Sequence, residues 1–187
     1  MKVKKLNIEG VKVIELNPIY DERGFFSRNY DMQIAKEGGF HQPWVQENVS
    51  LSKTAGTLRG IHFQLPPFSE TKLVRVLTGS VMDVFVDLRR GSKTFGQWGS
   101  YKLDSRKPEW IYLPKGIGHG MITLEDNMLM QYKVDSTFNP DADTQIKWND
   151  PDLGIQWPRE PKIISEKDQN AMSFSEFQQK FVGLEIE

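Results

Sequence analysis

Between residues 10 and 134 this chain never stays apolar for long. Short alternating runs are cut every few residues by Gly, Pro, Asn, Asp or Ser, a rhythm that suits strands and leaves little room for long helices. Strand patterns fall at residues 10–16, 25–30, 72–78, 81–88, 98–103, 109–113, 120–124 and 128–134. Gly79-Ser80, between two of these, is a Gly-X pair suited to a type II′ hairpin. In residues 81–88, Asp83 and Asp87 share one parity while Met82, Val84, Val86 and Leu88 share the other, so the second face reads as core. Only two helix signals are convincing. Asp31 can cap residues 32–37 ahead of Gly38-Gly39, and Ser173 with Glu176 has capping-box spacing before Phe177 and Phe181. Many short strands with few helices predict an all-β sandwich or barrel with short peripheral helices.

The 187 residues suit one domain over 1–187 with a short helical tail at about 170–187, and 38% hydrophobic content with eleven Phe and five Trp can fill its core. Residues 138–161, rich in Asp, Asn, Pro and Trp, read as an ordered loop-rich return. With 24 basic against 25 acidic residues there is no global field for nucleic acid or an anionic membrane, so any phosphate recognition is local. The absence of cysteine excludes disulfides, thiolate metal sites and a Cys nucleophile. No segment has the apolar length of a membrane span, and no apolar run follows the N-terminal Lys residues, which leads to the expectation of a cytoplasmic protein.

The chemistry concentrates in Gly56-Thr57-Leu58-Arg59-Gly60-Ile61-His62-Phe63-Gln64 and Lys72, read as adjacent strands joined by a Pro66-Pro67 turn. These supply an anion-holding guanidinium, an imidazole base and an electrophilic ammonium. Arg59 and His62 have opposite parity in a regular strand, so both reach one pocket only with a bulge at Gly60. Pro114-x-Gly116-x-x-His119 is the second sequence signature of the cupin jelly roll. Where the first signature offers His-x-His for a metal, this chain has His62-Phe63-Gln64. His62, His119 and a carboxylate such as Glu70 make a poor ligand set, His41 lies in an unrelated loop, and Arg59 and Lys72 repel a cation, so no metal is expected. Tyr132 can be a strand aromatic or a proton donor, and Asp168 alone reads as a turn residue.

Together the motifs resemble a known family. Asp21-x-Arg23-Gly24-x-Phe26, Leu58-Arg59-Gly60-x-His62-x-Gln64, Lys72-Leu73-Val74-Arg75-Val76, Asp83-Val84-x-Val86-Asp87-Leu88-Arg89, Pro114-x-Gly116-x-x-His119-Gly120, Asn149-Asp150-Pro151-x-Leu153-Gly154-Ile155-x-Trp157-Pro158 and Ser165-x-Lys167-Asp168 are similar, in order, to the dTDP-4-dehydrorhamnose 3,5-epimerases. The resemblance implies a cupin-like jelly-roll homodimer. It would invert C3 and C5 beside the ketone of a nucleotide-linked 4-keto-6-deoxyhexose without metal or redox cofactor. It places the general base on His62, its orienting carboxylate on Asp168, the proton donor on Tyr132 and the enolate-stabilising lysine on Lys72. Arg59 and His119 fall on the diphosphate side, and Gln46, Asn48, Arg28 and Phe138 among the substrate-binding positions. Arg23 and Phe26 fall on a strand exchanged between subunits.

Two positions depart from the family's commonest pattern. Arg28 stands where many members have Glu, which leaves dTDP, CDP and GDP sugars open as substrates. Phe138 replaces a frequent tyrosine, which leaves open whether one centre or both are inverted. A single-centre epimerase or ketoisomerase is the alternative enzyme reading; a metal-dependent cupin and a silent sugar-binding module are the alternatives from other classes.

Overall fold

The computed structural model describes residues 1–186. In chain order the elements are β1 (Lys2–Lys5), β2 (Lys12–Glu15), β3 (Ile19–Asp21), β4 (Gly24–Phe26), α1 (Met32–Glu37), β5 (Gln46–Ser52), β6 (Thr57–Gln64), β7 (Lys72–Thr78) and β8 (Ser80–Asp87). There follow β9 (Trp98–Asp104), β10 (Glu109–Leu113), β11 (Ile117–Thr123), β12 (Met128–Val134), β13 (Asp143–Gln145), β14 (Ile163–Ile164), α2 (Glu166–Gln169) and α3 (Phe174–Phe181). One sheet has the order β1-β2-β10-β7-β12-β5; the other runs β13-β6-β11-β8-β9, with β14 lying parallel to the start of β6. The result is the expected all-β, cupin-like jelly-roll sandwich.

Three apolar layers hold it. Val13, Val74, Val76, Phe85, Leu113, Met121 and Met130 fill the space between the sheets. The outer face of the second sheet, through Ile61, Phe63, Val84 and Val86, is covered by Leu153, Ile155, Phe174 and Phe177. The outer face of the first, at Ile14, Leu73 and Trp110, receives Ala35 of α1 and Phe40. Each such side chain, when fully buried, contributes about 1.5–3 kcal/mol. Both expected caps are present: the Asp31 side chain accepts from the Gln33 and Ile34 amides, and Ser173 and Glu176 form a reciprocal capping box. The expected C-terminal tail thus packs as a layer of the core.

Several expectations are corrected. Gly79-Ser80 is not a hairpin turn. Thr78 pairs with Leu129 of β12 and Ser80 with Asp104 of β9, so the chain crosses from one sheet to the other there, and Gly79 at φ +77° makes the corner. By the same logic β6 and β7 are not adjacent; they lie in opposite sheets and face each other across the sandwich. The strand expected at 25–30 stops at Phe26 and pairs with β3 in a two-stranded ribbon. In β8 both faces are buried: the Val84 and Val86 face lies under the C-terminal layer, while Asp83 and Asp87 point into the sandwich at 0% exposure. That is tolerable because Asp83 accepts from His119, and Asp87 accepts from Arg89, Ser92 and Thr94.

Candidate active site

The site begins with a fault in the β6–β11 ladder. His119 pairs with His62 and Met121 with Arg59, so Gly120 alone stands opposite both Gly60 and Ile61. This is the bulge that the parity of Arg59 and His62 requires. Gly60 sits at φ +126°, and a Cβ there would lie 2.4 Å from Gly120 Cα and 2.8 Å from the His119 carbonyl oxygen. Only glycine fits. The extra residue brings Arg59 and His62 to the inner face, beside His119.

The opposite wall comes from the first sheet. Lys72 and Tyr132 share its inner face with Val74 and Met130, and Gln46, Asn48 and Ser50 on β5 continue that face as the cross-strand partners of Val134, Tyr132 and Met130. Two cavities result, of about 150 Å³ and 280 Å³. The smaller is lined by Ser50, Arg59, His119 and Met130, the larger by Gln46, Asn48, Gln64, Glu70, Phe138 and Lys167; His62, Lys72 and Tyr132 line both. A larger surface cavity of about 520 Å³, between β13 and the start of α3, contains no histidine.

Each cavity-lining imidazole is tied to a buried carboxylate. His62 Nε2 donates to Asp168 Oδ1 at 2.5 Å, and His119 Nε2 donates to Asp83 Oδ2 at 2.8 Å. Asp168 is delivered by α2. Ser165 caps that helix and accepts from the Asp168 amide, leaving the carboxylate of this capping-box position free to turn to β6. Burial pushes the Asp168 carboxyl up, but the hydrogen bonds from His62, Ser165 and the Gly60 backbone, with the attraction of His62, outweigh it and hold it below its ordinary value. Asp168 is therefore an acceptor, Nε2 carries the proton, and Nδ1 is the nitrogen of His62 left to take a proton from a ligand.

Other expected site residues hold the walls. Gln46 Oε1 accepts from the Phe138 amide at 2.9 Å. Arg59 makes only long contacts, to Ser52 Oγ at 3.4 Å and the Leu51 carbonyl at 3.5 Å, so its guanidinium is available to an anion. Arg23, Phe26 and Arg28 line neither cavity. Arg23 pairs with Asp21 at 2.6 Å, Arg28 with Asp31 at 3.3 Å, and Phe26 is 66% exposed. Sequence reasoning passed over Asp83, Ser50 and the role of Glu70, which pairs with Lys72. Among the described residues no three His, Cys, Asp or Glu side chains converge as a metal-holding group. The signal for Asp83 was present: an aspartate in an otherwise apolar strand needs a buried partner.

Comparison with known proteins agrees with this geometry. The family model described as dTDP-4-dehydrorhamnose 3,5-epimerase matches residues 5–176. A relative of that name from Sinorhizobium fredii is 38% identical over 187 residues, which is 100% of this chain and 96% of the relative. The crystal structure of the Bacillus anthracis dTDP-4-dehydrorhamnose 3,5-epimerase with TDP and PPi bound superposes with a TM-score of 0.90 at 40% identity, covering 92% of this chain and 99% of that one. The Legionella pneumophila dTDP-6-deoxy-D-glucose-3,5-epimerase, in complex with dTDP-4-keto-L-rhamnose, gives a TM-score of 0.92 at 34% identity, covering 100% and 98%. By sequence and by fold along nearly its whole length, this chain belongs to the dTDP-4-dehydrorhamnose 3,5-epimerase family, a family of isomerases.

Proposed function

We propose that the protein converts dTDP-4-dehydro-6-deoxy-D-glucose to dTDP-4-dehydro-L-rhamnose by inverting C3 and C5. The observation that carries this reading is the arrangement around the shared cavity: the His62–Asp168 pair on one sheet, Lys72 and Tyr132 on the other. A ketone at C4 makes the protons on C3 and C5 acidic. His62 Nδ1 removes one, and the electron pair moves into the C4 oxygen, where the Lys72 ammonium stabilises the enolate. Asp168 holds the tautomer and stabilises the imidazolium. Tyr132, on the opposite wall, donates a proton to the other face of the carbon and inverts the centre. Arg59 and His119, lining the smaller cavity, take the diphosphate, and Gln46, Asn48 and Phe138 bound the sugar side.

The β3–β4 ribbon supports a homodimer in which this segment is exchanged. Ile19, Tyr20, Phe25 and Phe26 on it are 60–67% exposed, and among the described residues it pairs with no other strand. Arg23, Phe26 and Arg28 would then complete the neighbour's nucleotide pocket. Residues 1–187 act as one domain in this reading. No helix among the described residues is long and apolar enough to cross a membrane, and a chain without cysteine fits a cytoplasmic setting.

Incubation in heavy water tests the reaction. Two deuterons in the sugar are expected, one would reduce the activity to a single centre, and none would overturn the reading. Running dTDP, CDP and GDP sugars in parallel tests the nucleotide, with dTDP expected to be preferred. His62→Ala is expected to lower exchange by about 10² or more, whereas a sugar-binding module would show no turnover even in the parent.

A further inference from the structure

Glu70, a carboxylate that lines the larger cavity, takes no part in the steps above. Glu70 is largely buried, and its Oε1 lies 3.1 Å from Lys72 Nζ. Its other oxygen, Oε2, accepts from Gln64 Nε2 at 3.3 Å. Gln64 is itself fixed: Oε1 accepts from the Asn139 amide at 2.7 Å, and Nε2 also reaches the Phe68 carbonyl at 3.0 Å and the Thr137 carbonyl at 3.3 Å. These bonds assign the orientation of the amide, since a flipped Gln64 would turn its oxygen toward three acceptors. At 3% exposure Gln64 is a rigid bracket between β6 and the segment that bears Phe138.

A lysine has a long, flexible stem, and an ammonium that must be found and turned during the reaction stabilises a developing charge less than one already in place. Among the described residues Glu70 is the one carboxylate within ion-pair distance of Lys72. Both oxygens of Glu70 are engaged by the protein, which makes it a brace rather than a sugar contact. We propose that Glu70, held by Gln64, is a positioning residue that fixes the Lys72 ammonium where the C4 oxygen of the substrate gains charge. The inference rests on the epimerase reading and adds a residue to it.

Steady-state kinetics and deuterium incorporation with dTDP-4-dehydro-6-deoxy-D-glucose test it. Glu70→Ala is expected to lower kcat by about tenfold or more with KM within about twofold of the parent, because the lost placement acts on the transition state. Glu70→Gln keeps an acceptor for Lys72 and is expected to fall between the two, with a melting temperature close to that of the parent. In a Lys72→Met background, Glu70→Ala is expected to cause no further loss of residual exchange. An unchanged kcat in Glu70→Ala, a raised KM alone, or a full additional loss in the Lys72→Met background would overturn the inference. If the parent protein incorporates no deuterium, the epimerase reading itself falls, an outcome distinct from an active parent with an indifferent Glu70.

Discussion

The strand that carries His62 and the strand that carries Gln46 and Asn48 line one cavity from opposite sheets, yet their outer faces differ. Behind β6, Ile61 and Phe63 are buried, and Phe63 meets Phe177 edge to face at 5.5 Å between centroids. Behind β5, Val49 and Leu51 are 61% and 49% exposed. The wall with the imidazoles is backed by a second core, and each ring is tied to a carboxylate; the β5 end of the other wall is a sheet edge with a bare apolar back. The His62 imidazole is thus preorganised by this chain alone, whereas that part of the other wall gains no support from a second core.

Four substitutions would break or sharpen that contrast. Asp168→Asn, which removes the tether of His62, is expected to lower deuterium exchange by about 10²–10⁴ with the fold retained. Its effect on stability has a pH signature. The folded Asp168 carboxyl titrates below its ordinary value of 3.8, so the stability it contributes is complete above that pH and is lost as pH falls through the lower native value. Urea unfolding should therefore show the widest gap between parent and Asp168→Asn near neutrality, and the gap should close below about pH 4. Phe177→Ala, at 0% exposure in the backing layer, is expected to cost about 3–5 kcal/mol in the same measurement. Gly60→Ala forces a side chain against Gly120 and is expected to cost about 1–3 kcal/mol and to lower kcat. Val49→Ser should stay within about 0.5 kcal/mol. A loss there approaching that of Phe177→Ala would show that the back of β5 is covered in solution and would end the contrast.

The same contrast explains what the sequence made legible. β10 and β12 were read with their observed bounds because apolar residues dominate both. β5 was passed over because its inward residues, Gln46, Asn48, Ser50 and Ser52, are polar: they face a cavity, and its apolar residues face outward. Gly79 was read as a hairpin because alternation marks a strand without saying which sheet receives it. Parity marked the Val84 and Val86 face of β8 as core, as observed, but could not show that the Asp83 and Asp87 face is buried too: His119, 36 positions on, bonds Asp83, while Arg89, Ser92 and Thr94 close by in the chain satisfy Asp87. The bulge at Gly60 followed from parity alone. The partner of His62 did not: Asp168 lies 106 positions away, and only resemblance pointed to it.

The bulge also makes the site depend on a count. Arg59 and His62 face one cavity because two residues stand between them on β6 where β11 spends one. Deleting either Gly60 or Ile61 would restore an even ladder, yet it would send one of the two polar side chains to the apolar layer behind the sheet. Changes of length here are therefore far less tolerable than changes of side chain. The spacing between a guanidinium and an imidazole is as much a part of the proposed site as the groups themselves.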